Sequence, residues 1–384
     1  MSRRISIAFV VSQIRRTGPI IVVLDLMKTL PRDLYDLHII ELRPSAEDGQ
    51  EVRDEFTALG CELHSLNCSL LHLEMKTKVV ASQLKSLASS LGIELLHSHT
   101  YHPDLICARL SSDFAILSTQ HNLSLQDFSH KKGALMGAYM HARLLRALSS
   151  YRHIACITHF VRKYYQSRLP QGLCFHTIYN GIDPERFSQL SILRKAELRQ
   201  ELGIDPEHYV MTMVGSLSTR KDPITVIRAL QLLDSRGLLP NNFCLLLIGD
   251  GPLRKQCCRY AETLLGRIRF VGFSTEPERY MQAADAAITA SHSEGFGLNV
   301  AEAIMCGLPV VTTTIGPLLE LTEDLPSLHA LRFAPGHVEA CAEAICLCFD
   351  AILGEDERKA FSRRFSGSRM GQAYHHLYQA MLKG

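Results

Sequence analysis

The chain has 384 residues, 46% hydrophobic and 21% charged, which are globular proportions over a length that suits two domains of ordinary size. Its 41 basic and 39 acidic residues leave a formal net charge of +2, so no global field calls for a nucleic-acid partner. Twelve cysteines without a Cys-x-x-Cys pair indicate neither a disulfide framework nor a zinc site, and no apolar window approaches roughly 18 residues, so no membrane-spanning helix is expected.

Met1-Ser2-Arg3-Arg4 leads straight into a strand-like run at residues 5–11, too short for the apolar core of a signal peptide. Reduced cysteines and this start fit a cytoplasmic protein. Further strand-like runs follow at residues 37–42, 61–66, 95–99, 115–120, 153–158 and 176–179, with amphipathic stretches such as 20–30, 76–91 and 136–148 between most of them. Such alternation predicts a parallel sheet covered by helices on both faces, with ligands gathering at the carboxyl ends of its strands.

Residues 128–182 contain no Asp or Glu but hold Lys131, Lys132, Arg143, Arg146, Arg152, Arg162, Lys163 and Arg168. This span reads either as a solvated face or as a surface for anionic lipid headgroups or an anionic substrate, which would make the protein peripheral on the inner membrane face. Within it, Leu135, Met136, Tyr139, Met140, Leu144 and Leu148 form one apolar helix face, suited to core packing or to membrane contact. His97 and His99 point the same way from one strand, but only Asp104 lies near them, so no metal is expected there.

Asn180-Gly181 favours a tight turn, and residues 184–203 are polar, with a helix-like run at 192–202. The alternation then restarts, with strands at 210–215, 243–248, 268–271, 284–289 and 310–314 and near 330–333. The helices are expected at 223–233, 254–265, 277–283 and 338–349. The architecture is therefore α/β, with two Rossmann-like domains: 1–183, then 184–364.

The chemistry concentrates in Ser293-Glu294-Gly295-Phe296-Gly297-Leu298-Asn299-Val300-Ala301-Glu302. A strand precedes this loop, a helix begins at Leu298, and Gly307-Leu308-Pro309 stops that helix. Unpaired N–H groups at a helix start suit a diphosphate, the glycines leave room for a ligand near the backbone, and Glu294 and Glu302 can each accept from hydroxyls.

Glu-x7-Glu around Gly-Phe-Gly, followed by Cys-Gly-Leu-Pro-Val-Val, resembles the donor-site signature of retaining, nucleotide-sugar-dependent glycosyltransferases of the GT-B fold, family 4. Gly215-Ser216-Leu217-Ser218-Thr219-Arg220-Lys221 is similar to the family's second donor motif, with Lys221 on the lysine position. Ser216 stands where an arginine is usual; Arg220 is close by in sequence. Residues 180–187 resemble the hinge between domains; Ile248-Gly249-Asp250-Gly251-Pro252, after an apolar strand, also resembles the family and reads as a turn near the donor cleft. Arg16-Thr17-Gly18-Pro19 carries one of the two glycines found at the first strand–helix junction.

What the resemblance implies is two parallel sheets facing across a cleft, with the last helix, 365–384, packed back on the first domain. It implies Glu294, His121 and Lys221 as catalytic residues, with His121 contacting the transferred sugar. Donor binding would fall to Gly18, Gly215, Ser216, Arg220, Lys221, Gly295, Phe296, Gly297, Leu298, Asn299 and Glu302. The expected substrates are a nucleoside diphosphate sugar, UDP favoured, and a carbohydrate or lipid-linked acceptor, as in bacterial surface polysaccharide assembly. No cofactor is expected, and the chain has no Asp-x-Asp to hold a bridging metal. Two other functions fit fewer of these features: a sugar-nucleotide epimerase or hydrolase, and a partner subunit without turnover.

Overall fold

The computed structural model describes residues 4–44, 49–264 and 266–383. The Met1-Ser2-Arg3 start, residue 265 at the end of an expected helix, and Gly384 lie outside the described residues. The chain divides into two compact units, Met1–Gly181 with Ser366–Gly384, and Ile182–Phe365. The sequence had suggested 183 and 364 for these boundaries.

The first unit is built on seven strands: β1 (Ile5–Val11), β2 (Tyr35–Glu41), β3 (Glu62–Ser65), β4 (Leu95–His99), β5 (Ala115–Gln120), β6 (His153–Cys156) and β7 (Cys174–Thr177). They run in the order β3-β2-β1-β4-β5-β6-β7 and every pairing is parallel. β1 is buried along most of its length because a central parallel strand has helices on both faces, and its sequence is accordingly apolar from Ile7 to Val11 rather than alternating. Helix Gly367–Lys383 belongs to this unit. Its Tyr374 and Tyr378 are buried, their hydroxyls bonded to Thr119 Oγ1 (2.8 Å) and His97 Nδ1 (2.8 Å).

The second unit carries β8 (Tyr209–Val214), β9 (Phe243–Ile248), β10 (Ile268–Gly272), β11 (Ala286–Ile288), β12 (Val310–Thr313) and β13 (Arg332–Phe333), in the order β10-β9-β8-β11-β12-β13, again all parallel. β11 is only three residues long, shorter than the expected 284–289, because the loop to the next helix starts at Thr289. The expected helix at 254–265 is α-helical only over Arg254–Ala261 and tightens to a 3-10 turn at Glu262–Leu264.

In each unit the strand order reverses beside the first strand, between β1 and β4 and between β8 and β11. The loops leaving those strands diverge to opposite faces and leave a crevice at the carboxyl edge, the usual place for a ligand in an open α/β sheet.

Helix Ala134–Leu148 settles only half of its apolar face in the core. Leu144 and Leu148 are buried, whereas Leu135 (91% exposed), Met136 and Tyr139 face solvent.

Candidate active site

In the second unit the two loops flanking the switch point carry the two motifs. The loop after β8 passes through Gly215, whose φ of +142° and lack of a Cβ let the Lys221 stem lie against it; a Cβ there would come 3.2 Å from Lys221 Cε. Gly249, after β9, is required by a closer approach. A Cβ on it would sit 2.1 Å from the carbonyl oxygen of Gly215, so the two loops meet backbone to backbone.

The loop after β11 turns into helix Leu298–Met305 at Gly297, the N-cap, with φ +101°. Here the structure gives the glycine a reason different from the expected ligand approach: a Cβ would collide with Leu318 Cδ2 at 2.4 Å. Phe296 is likewise committed to packing, buried, with its ring 5.8 Å from that of Phe365.

The loops bring Glu294, Lys221 and Arg220 together. Lys221 Nζ lies 2.6 Å from Glu294 Oε1, and Arg220 Nη1 lies 3.0 Å from Glu294 Oε2. Arg220 also donates to the Ser293 carbonyl (2.8 Å), and Ser291 Oγ donates to Glu294 Oε1 (2.8 Å). The Glu294 side chain is 10% exposed and that of Lys221 11%. Burial by itself would raise the Glu294 pKa, but the Lys221 and Arg220 charges and the bonds from Lys221 and Ser291 outweigh it and hold the carboxyl down at about 2. It is therefore an anion at any physiological pH. Two cations against one carboxylate leave the cluster with an excess positive charge suited to a second anion.

Asn299, singled out in sequence only for its N–H, adds a side-chain bridge. Its Oδ1 accepts from Lys221 Nζ (3.4 Å) and its Nδ2 donates to the Val214 carbonyl (3.2 Å), joining the two loops. Leu298 and Asn299 open the helix, where the first N–H groups have no carbonyl ahead of them in the helix. Glu302 lies one turn further on and is partly buried. Ser216 is exposed on the loop rim, and Gly295 is buried. Asp222, with φ +44°, caps helix Pro223–Ser235 and holds His292 (3.0 Å), a further tie between the loops.

In the first unit, Gly18 is exposed at the start of helix Gly18–Thr29, after β1. His121 follows β5 and its Nε2 meets His99 Nδ1 at 2.9 Å; burial lowers its pKa to about 4, so the ring is neutral at pH 7. His97 bonds to Thr119 Oγ1 and Tyr378, while Asp104 accepts from Ser98, Ser118 and Gln120 on the opposite side of β4. These three groups thus do not converge on one point. Thr100 is a feature the sequence did not signal: a β-branched residue at φ +77° directly after β4, its hydroxyl 3.1 Å from Ser12 Oγ across the switch point. Such strain, of about 1–3 kcal/mol, persists where surrounding structure enforces it and clusters at ligand sites.

Two family descriptions match, end to end along the chain: "Glycosyltransferase Family 4" over residues 17–186 and "Glycosyl transferases group 1" over residues 194–363. The chain belongs to the group 1, family 4 type of glycosyltransferase. It is 24% identical over 388 residues to the O-antigen biosynthesis glycosyltransferase WclY of Escherichia coli, covering 98% of this chain and 99% of that one. It is 24% identical over 293 residues to the UDP-Gal:alpha-D-GlcNAc-diphosphoundecaprenol alpha-1,3-galactosyltransferase of E. coli, covering 74% and 73% of the two chains. Among solved structures, Anabaena Alr3699/HepE in complex with UDP and glucose matches with a TM-score of 0.81 at 20% identity, over 98% of this chain and 100% of that one. The fold of this glycosyltransferase is GT-B. No helix among its described residues is long and apolar enough to cross a membrane.

Proposed function

We propose that this glycosyltransferase moves a hexose from a UDP-sugar to an acceptor hydroxyl with retention of anomeric configuration, in the assembly of a bacterial surface polysaccharide or glycolipid. The observation that carries the reading is the Arg220–Lys221–Glu294 cluster at the switch point of the second unit. The names of the E. coli relatives and the UDP complex of HepE support the donor and the setting.

The bond from the anomeric carbon to the diphosphate breaks, one from that carbon to the acceptor oxygen forms, and the acceptor's O–H proton leaves to the departing diphosphate or to solvent. Positive charge builds on the sugar ring and negative charge on the leaving diphosphate. Lys221 and the N–H groups of Gly297, Leu298 and Asn299 hold that diphosphate, and no metal is needed for its charge. Glu294, fixed as an anion, accepts from a sugar hydroxyl and favours the cationic ring. Glu302 takes the ribose hydroxyls, and neutral His121 contacts the transferred sugar. Helix Leu70–Met75 exposes Leu70, Leu71 and Met75, helix Ala134–Leu148 exposes Leu135, Met136 and Tyr139, and the Glu74–Arg143 ion pair ties the two helices. With Lys131 and Lys132 they suit an anionic bilayer carrying a lipid-linked acceptor.

The test is acceptor-dependent release of UDP from a panel of UDP-hexoses, with the product anomer read by proton NMR. Release that needs an acceptor and gives the donor's anomer supports the reading. Release without acceptor indicates a hydrolase, and the opposite anomer removes retention.

A further inference from the structure

β2 and β3 form the outer edge of the first sheet, with His38 across from Glu62 and Ile40 across from His64. Side chains two apart on a strand share a face, so Glu62 and His64 project together, and His38 joins them from the neighbouring strand. Three ligand-type atoms converge there. His38 Nδ1 lies 3.3 Å from His64 Nε2 and 3.5 Å from Glu62 Oε2, and His64 Nε2 lies 3.7 Å from Glu62 Oε2. The two rings are stacked at 5.5 Å.

Ligands about 2.0–2.1 Å from a zinc ion stand roughly 3.3–3.4 Å apart in a tetrahedron, against about 3.0 Å for neighbours in an octahedron. The separations here, 3.3, 3.5 and 3.7 Å, are nearer to tetrahedral corners than to octahedral neighbours. The first is also long for an N–H···N hydrogen bond between the rings. His38 is buried and Glu62 is 66% exposed, so the trio has a fixed floor and an open mouth through which an ion enters and a water can complete the fourth corner.

We propose that His38, Glu62 and His64 form a binding site for a divalent transition ion of the zinc or cobalt kind. Two imidazoles and one carboxylate are a donor set for such ions rather than for magnesium or calcium, which take oxygen ligands. The ion pins the edge strand β3 to β2 and, binding only the folded chain, stabilises the first unit. The site shares no residue with the Lys221–Glu294 cluster, which belongs to the other unit, so sugar transfer should not depend on it. Its ligands are separated in sequence by helix Gln50–Ala58, which is why no ligand spacing is visible there.

The experiment is titration of chelator-treated full-length protein with cobalt alone, followed by zinc competition. Readouts are visible absorption and the thermal midpoint, on wild type, Glu62→Gln and His64→Gln. Glu62 is exposed and His64 partly so, and unaltered circular dichroism and sugar transfer check that the variants fold. One equivalent of cobalt without a thiolate charge-transfer band is expected, with a raised midpoint and affinity at least about tenfold weaker in each variant. Equal affinity in the variants, a thiolate band, or no binding at millimolar metal would overturn the assignment.

Discussion

Replacing Glu294 by glutamine keeps the side chain's shape and removes its charge, leaving Lys221 and Arg220 to face a neutral amide. The carboxyl titrates at about 2 in the fold against an ordinary 4.5. At about 1.4 kcal/mol per pKa unit, that difference is on the order of 3 kcal/mol of stability. Because the folded value is the lower one, the unfolded chain takes up the proton first as pH falls. The contribution is therefore complete above about pH 4.5 and drains away as the pH falls towards 2. Glutamine still accepts from Ser291 and Lys221, so Glu294→Gln should cost about 2–3 kcal/mol at pH 7. For a unit of this size that is on the order of 5–10 °C in midpoint. Thermal unfolding followed by circular dichroism, at steps from pH 7 to pH 3, reads the gap between variant and wild type. It should hold steady to about pH 4.5 and then narrow. A gap that does not change with pH, or none at pH 7, would refute the electrostatic account of this cluster. The same variant should bind UDP within a few-fold of wild type while losing sugar transfer, since the cations for the diphosphate remain.

Lys221→Ala should do the reverse for binding, weakening UDP by at least about tenfold in calorimetry as a charge-assisted contact is lost; unchanged affinity would move the diphosphate elsewhere. Gly249→Ala places a methyl group on the Gly215 carbonyl at positive φ and should destabilise by about 2–4 kcal/mol in urea unfolding, more than an ordinary surface glycine. In the first unit, His121 is neutral in the fold at about 4 against 6.5, so its stabilisation is whole above pH 6.5 and lost as pH falls towards 4. His121→Asn should flatten that decline by about 2 kcal/mol between pH 7 and 5; parallel curves for variant and wild type would remove His121 as its source.

Strands β1, β4, β5 and β9 fall where the sequence put them; β1 and β9 are largely apolar runs, and β4 and β5 each open on an apolar stretch before ending in buried polar residues. Short helices such as Tyr101–Cys107 and Gly316–Leu321 were not visible, since one or two turns carry too little periodicity to stand out. Of the site, Glu294 and Lys221 were legible as motif positions, but their ion pair was not, because it joins loops from two different strands. The same holds for Ser291 beneath Glu294 and for the side chain of Asn299. Gly297 shows the opposite case: its presence was plain, yet its cause is Leu318, which only the folded chain brings near. The apolar face from Leu135 to Leu148 looked uniform and divides in the fold, its first half exposed and its second half buried.

The central claim is that the loop around Gly295 and the helix after it form a nucleotide donor site. Thermal unfolding with saturating UDP, GDP and ADP, on wild type and Glu302→Ala, tests it most directly. A ligand that binds only the folded chain raises the midpoint, by about 2.7 kcal/mol of stabilisation at a hundred times its Kd. The account predicts that UDP stands out among the three and that Glu302→Ala loses most of that shift. No shift with any diphosphate, or a UDP shift that Glu302→Ala leaves intact, would contradict it.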